Sequence, residues 1–280
     1  MSDPILIDQP NLSRAWAEAF LTVRSTSGHR LAPLMLSFQG FDDGGVIEEP
    51  AIRSALDAVM VDAAMQRVQT VANTIFPQAL WRQAKGDRMA FYAAYRENLP
   101  EYVAMEPHKN RRGLYFGRLI AYGLDHKTGE RLPHVPEDAI PEDGNQLEFI
   151  IQRCKKGVRV SEFQASVFDP ARDHTKAARL GFPCLQHVTF VPCFGDGTLM
   201  LNAFYATQQL FEKGYGNYLG LARLGLFVAN EVGLTLTRVT CFVGVEKMEA
   251  KPHEGPLLDA VVKACEASLS PATPAVGALA

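Results

Sequence analysis

Cys184 follows a proline and opens an apolar run, Gly-Phe-Pro-Cys-Leu-Gln-His-Val-Thr-Phe over residues 181–190. A thiol at the start of a strand is well set to be a nucleophile. Further on, Lys213-Gly214-Tyr215-Gly216-Asn217-Tyr218-Leu219 places an amide among glycines and tyrosines. Together they suit one chemistry, the addition of a thiolate to C6 of a pyrimidine-like ring. That reaction needs a deprotonated cysteine in a cationic or donor-rich setting. It needs hydrogen-bonding groups that identify the ring's edge, and a donor for the charge developing on O4 or N3. Cys184 suits the first need. Asn217, whose side chain both donates and accepts, suits the second. The other reading of Cys184 is a small buried hydrophobe, and spacing alone leaves both open.

A scaffold must position these residues. The spacing predicts helices over 9–23, with Asn11 or Ser13 as cap, over 50–75 with Pro50 in the first turn, over 82–97 and over Asn145 to Lys155. Strands are expected at Leu34 to Phe38, Val160 to Phe168 and Leu236 to Val245. Val188 to Cys193 and Thr198 to Tyr205 flank Phe194-Gly195-Asp196-Gly197, which predicts a hairpin. Leu219 to Val232 is apolar nearly all round and predicts a buried helix closed by Gly233. Phe41 to Gly45 reads as a turn, Glu106 to Arg112 as a polar loop and 125–144 as a long surface loop. The fold class expected is α+β, a mostly antiparallel sheet packed with helices. One domain is expected over 1–266, followed by a low-complexity tail over 267–280.

The chain has 280 residues, 47% hydrophobic and 21% charged, with a formal net charge of −3. That balance gives no basic surface for nucleic acid or an anionic membrane. The five cysteines show no Cys-x-x-Cys spacing, so neither a disulfide framework nor a zinc site is signalled. Glu106-Pro107-His108 lacks a second histidine at helical spacing, and no metal site is expected. The N-terminus has no apolar segment like a signal peptide, and no run approaches the ~20 residues that span a bilayer. A soluble, cytoplasmic protein is expected. Phosphate-cradling glycine loops and a Gly-x-Ser-x-Gly nucleophile turn are absent.

Residues 145–245 resemble the catalytic half of the thymidylate synthase and pyrimidine hydroxymethylase superfamily. The family nucleophile lies in a Pro-Cys step before an aromatic strand, matched by Pro183-Cys184 through Phe190. A glycine hairpin follows. Then a Leu-Pro-Phe-Asn segment opens a buried helix, matched by Tyr215-Gly216-Asn217 and Leu219 to Val232. Gly233-Leu234 and Phe242-Val243-Gly244 match the closing strand. Upstream, Leu114-Tyr115-Phe116-Gly117-Arg118-Leu119 resembles the Tyr-Gly-Arg/Lys segment, and Val167-Phe168-Asp169-Pro170 the Ala-Trp-Asn-Pro segment.

Several positions depart from the family pattern. Thr207 stands where a phosphate-binding arginine is expected, and Ser161-Glu162 where the partner subunit's arginine pair would lie, with Arg159 nearby. Losing guanidiniums removes bidentate anchors for a dianion. Arg118, Arg159, Arg172 and Arg179 read either as another anion site or as ordinary surface arginines. Leu185 replaces the histidine that follows the nucleophile in many members. His187 shares its strand face only if the strand is regular. The family's sugar-binding His-x-Tyr falls at Lys247 and Glu249. The helix expected to carry a catalytic glutamate, Gln66 to Phe76, has no acid; it offers only Gln69 and Asn73 to orient water. Trp81 reads as a packing residue or a pocket wall.

The resemblance implies a one-carbon transferase working through a Cys184 adduct on a pyrimidine-type substrate not held as a conventional nucleoside monophosphate. It implies 5,10-methylenetetrahydrofolate as donor and a homodimer joined through a sheet face. Asn217 would read the ring, Gln209 or Gln186 would position ring or folate, and His187, Arg118 and Tyr115 complete the substrate set. The alternative is a protein that keeps this fold for binding or assembly without the chemistry.

Overall fold

The computed structural model describes residues 3–42, 45–110, 113–157, 160–174, 183–248 and 255–270. Arg159, Arg179, Glu249, Asp43, Gly44 and the tail from 271 lie outside the described residues.

Alternation builds the sheet. In Thr198–Tyr205, Leu199, Leu201, Ala203 and Tyr205 turn inward while Met200, Asn202 and Phe204 turn out. Six strands are ordered Ile5–Gln9, Leu34–Phe38, Thr235–Val243, Thr198–Tyr205, Leu185–Cys193 and Gln164–Ser166. The first pairing is parallel, and so is Thr235–Val243 with Thr198–Tyr205. The other pairings are antiparallel. The fold is α+β, and the sheet is mixed, with three of its five pairings antiparallel and two parallel. The reason is that Thr198–Tyr205 and Thr235–Val243 are joined through the Tyr215–Val232 helix. A helical crossover returns the chain to the same end and makes the pair parallel.

All the packed helices cover one sheet face. On Tyr215–Val232, Leu221, Leu224 and Val228 are buried. Gly216 and Gly220 admit the Val68–Asn73 helix so closely that a Cβ at Gly216 would stand 2.5 Å from Val71 Cβ and 2.8 Å from the Val68 carbonyl oxygen. Gly233 ends the helix with φ 71°, as expected. The opposite face carries the row Leu6, Met35, Phe242, Phe204, His187 and Ser166, aligned strand to strand.

The helix expected over 50–75 is two, Pro50–Asp62 and Val68–Asn73. Ala64 takes a left-handed φ of 53°, and the Met65 and Ala64 amides close back on the Met60 and Val61 carbonyls. This is the double-bonded helix stop normally built on glycine. Residues 82–97 fall across two helices, Gln78–Gln83 and Arg88–Met105. Tyr115–Ile120 is helical, a short helical turn Pro107–Asn110 lies in the expected loop, and the strand near 160–168 shortens to Gln164–Ser166. The strand Ile5–Gln9 and the helix Pro256–Leu269 were not anticipated; the helix crosses the 266/267 boundary. Among the described residues no helix is long and apolar enough to cross a membrane.

Candidate functional site

Cys184 stands where the chain enters the Leu185–Cys193 strand. Leu185 pairs with Tyr205, but the next pairing is His187 with Phe204, so Gln186 is a bulged extra residue. The bulge separates Leu185, which is buried against the helices, from His187 in the open row beside Phe204. The strand is irregular here, so His187 does not share Leu185's face. Burial lowers the His187 pKa. The Gln186 side chain turns back on its own loop, donating to the Pro183 carbonyl at 2.5 Å and the Cys184 carbonyl at 3.4 Å. The Cys184 carbonyl also accepts from the Ala206 amide at 3.0 Å, which ties the strand start to the end of Thr198–Tyr205.

A set of hydroxyls surrounds this end of the sheet. Tyr115, on the Tyr115–Ile120 helix, lies against the Cys184 and Leu185 amides. Burial raises its pKa, the Cys184 thiol raises it further, and the two amides oppose the rise. Tyr205 feels burial first, then Tyr115, Cys241, Cys184 and Glu246, all raising its pKa. Glu246 is fully buried. The two-residue strand Glu246–Lys247 is held between Arg30–Leu31 and Gln208–Gln209. The Tyr218 hydroxyl donates to Glu246 Oε2 at 3.1 Å. Burial pushes the Glu246 carboxyl up to about 8. Four buried atoms of this group have no hydrogen-bond partner among the described residues: Tyr205 Oη, Glu246 Oε1, and Gln208 Oε1 and Nε2.

Asn217 sits in the first turn of Tyr215–Val232, which starts ten residues after Tyr205 and packs back over that strand. Cys184 and Asn217 therefore share one end of the sheet. Asn217 is 5% exposed and its side chain makes no hydrogen bond to a described residue. The helix is entered through a wide π-turn, Leu210–Gly214, anchored by the Trp16 indole donating to the Leu210 carbonyl at 3.1 Å. Of the two glutamines before it, Gln208 is buried and Gln209 half-buried. The Thr207 hydroxyl is buried without a partner among the described residues.

Arg118, whose charge is felt at Tyr115, is engaged in a buried ion pair. Its guanidinium grips Asp173 at 2.7 and 2.8 Å and donates to the Val167 carbonyl at 2.8 Å. Arg172 reaches His126 Nδ1 at 3.1 Å. Gln69 and Asn73 bond each other, and Gln69 also accepts from Arg223. Trp81 packs edge-on against Phe227 at 4.9 Å. It also walls a groove of about 570 Å³ with Arg82 and Arg223, while a second cavity of about 410 Å³ is lined by His134, Asp169 and Gln164. Neither includes Cys184 or Asn217 among its described lining. No cluster of His, Cys, Asp and Glu among the described residues has the makings of a metal site.

Sequence reasoning missed Glu246, Tyr205, Tyr218 and Gln208. No motif marks Glu246; its only signal is a single acid directly after the apolar run Cys241 to Val245. Comparison with known proteins finds no matching family model and no matching curated relative.

Proposed function

We propose that this chain is a thymidylate-synthase-like transferase that moves a one-carbon unit to C5 of a pyrimidine-type substrate through a Cys184 thiolate adduct. One observation carries the reading. Cys184, Tyr115, Tyr205, Tyr218, Gln208 and Glu246 meet at one end of the sheet, and four of their buried polar atoms have no partner among the described residues. Buried polar atoms are nearly always satisfied, so an unsatisfied set suits a ligand with a polar edge. Burial raises the pKa of Tyr115, Tyr205, Tyr218 and Glu246 and so favours their neutral forms, which suits a neutral heterocycle better than an anion at this point. Asn217 reads the ring edge, and the Tyr115 and Tyr205 hydroxyls lie near the reacting thiol.

The one-carbon donor of this reading is 5,10-methylenetetrahydrofolate. The Gln208 amide, which donates and accepts and has no partner among the described residues, fits the lactam edge of a pterin and would hold it. When bound, the folate supplies a carbon at the methylene level to ring C5. The substrate's phosphate, where it has one, is held other than by Arg118, which is already paired with Asp173. The open face of the sheet is the proposed homodimer surface.

Ultraviolet difference spectroscopy with 5-fluoro-2′-deoxyuridine, with and without a 5′-phosphate, and 5,10-methylenetetrahydrofolate tests the reading. Wild type is expected to form a covalent adduct that Cys184→Ser does not. No adduct in wild type, or an equal one in the variant, would sink it. A second reading keeps the fold for binding or assembly alone. It is favoured by the two cavities, neither of which has Cys184 in its described lining. Rapid alkylation of Cys184 that deoxyuridine blocks would count against that second reading.

A further inference from the structure

The groove walled by Trp81 lies at the far end of the sheet from Cys184. Thr235 and Leu236 line it at the start of their strand, paired with Thr198 and Leu199. Cys184 precedes Leu185, which pairs with Tyr205, and Tyr205 pairs with Val243 at the other end of that strand. At ~3.3 Å per residue the two ends are about 26 Å apart. Arg223 reaches the groove from the middle of the Tyr215–Val232 helix and is the one charged side chain between Tyr215 and Asn230. Its Nη2 donates to Gln69 Oε1 at 3.0 Å, and Gln69 is held in that orientation by donating to Asn73 Oδ1 at 3.1 Å. Its Nη1 is buried and has no hydrogen-bond partner among the described residues. Leaving a buried, charged donor unsatisfied is costly. Glu48 lines the same groove, but Arg53 holds both of its oxygens, at 2.6 and 2.7 Å. Arg82 adds a second, exposed guanidinium from the Gln78–Gln83 helix. Burial lowers the Arg223 pKa most, Glu48 opposes this, and Arg53 and Arg82 lower it again. The two lining guanidiniums are therefore close enough to repel each other.

We propose that this groove is a second binding site, for a small planar aromatic carboxylate, with the carboxylate between Arg223 Nη1 and Arg82 and the ring against Trp81. A guanidinium presents donors in a fork that matches a carboxylate. An oxyanion there satisfies the buried Nη1 and relieves the repulsion between the two arginines. The Trp81 ring is fixed by edge contact with Phe227 at 4.9 Å and by Phe91 at 5.3 Å, and it stays half-buried, with surface left for the groove. A flat ring suits such a wall, because aromatic pairs gain from both area and geometry. The volume of about 570 Å³ falls in the range of small-molecule sites. Asp42 and Glu48 also line the groove. Their charge disfavours a dianion, so a monoanionic carboxylate fits better than a phosphate monoester. The site is independent of the ring chemistry proposed at Cys184.

Isothermal titration calorimetry of the full chain tests the site with three probes: indole-3-acetate, its neutral counterpart indole-3-acetamide, and adenosine 5′-monophosphate. Indole-3-acetate is expected to bind, and the acetamide to bind about 10-fold more weakly or worse, as expected for loss of charge-assisted hydrogen bonds. Arg223→Gln and Arg82→Gln are each expected to weaken indole-3-acetate by about 10-fold while leaving the acetamide unchanged. Trp81→Leu is expected to weaken both indole probes alike. Cys184→Ser is expected to bind as wild type does. No binding of indole-3-acetate, equal binding of the acetamide, or unchanged affinity in both arginine variants overturns the proposal. Adenosine 5′-monophosphate binding more tightly than indole-3-acetate overturns the carboxylate class. Binding that Cys184→Ser abolishes places the probe at the other end of the sheet and overturns the site, whatever the fate of the Cys184 adduct. Arg82 is exposed, so Arg82→Gln carries the test if Arg223→Gln does not fold.

Discussion

Glu246 also makes the fold itself sensitive to alkali. Its carboxyl titrates at about 8 in the folded chain against an ordinary 4.5, because burial disfavours the charge. Unfolded chain therefore gives up the proton first, and between those two values folding must take a proton up. The contribution is fully present below 4.5, declines as pH rises, and is gone above 8. The slope is about 1.4 kcal/mol per pH unit. Urea-unfolding free energies of Glu246→Gln are expected to fall less over that window than those of wild type. Parallel curves would show that the carboxyl is not protonated in the folded state. Cys184 and Asn217 stand out in the sequence because their types suit the chemistry and their neighbours are glycine, proline or aromatic, and Tyr115 stands out only through the segment that resembles the family's Tyr-Gly-Arg/Lys. Glu246 was not legible, because its burial is imposed by Arg30–Leu31 and Gln208–Gln209, which are far from it in the chain. Nor could spacing tell that Asp173 engages Arg118, or that Gln208 rather than Gln209 is the buried one.

At the scale of elements, local signals held wherever the chain's own turn chemistry decides the structure. Asp196-Gly197 sits in the tight turn between Leu185–Cys193 and Thr198–Tyr205, Asn11 and Asn145 accept from the amides of their own first turns, and Gly233 closes its helix. Failures came where the deciding residue was of the wrong type for its job. Ala64 holds a left-handed position that usually signals itself as glycine, so the break between Pro50–Asp62 and Val68–Asn73 was invisible. The bulge at Gln186 has no glycine either. A very close contact between elements lies beside Asn217, that of Gly216 with Val68 and Val71. Gly216→Ala adds a methyl where the backbone of another helix already stands, and such overpacking costs about 1–3 kcal/mol. The helix start must move, and Asn217 with it. A loss of stability in urea is expected together with weaker nucleoside protection of Cys184. A variant as stable as wild type would show that the two helices separate freely.

At the scale of the molecule, the open sheet face is the feature that a lone subunit does not explain. Leu6 is 63% exposed, Met35 42%, Phe242 40% and Phe204 37%, and the two phenylalanine rings stack at 5.4 Å. Contiguous apolar surface of this kind marks an interaction site, and a second copy is the partner the proposed function requires. Phe242→Glu is expected to convert a dimer to a monomer in sedimentation velocity with little change in the subunit's own fold. A wild-type monomer, or a variant that still dimerises, would remove the face from that role. The strand order has a consequence in time. Thr235–Val243 lies between Leu34–Phe38 and Thr198–Tyr205, so the first-made and middle parts of the sheet have no seam until it arrives. During synthesis, the two portions wait with bare edges for a strand encoded after both of them. A ribosome stalled before residue 235 would carry two unjoined half-sheets, and the Glu246 carboxyl would not yet exist to be buried.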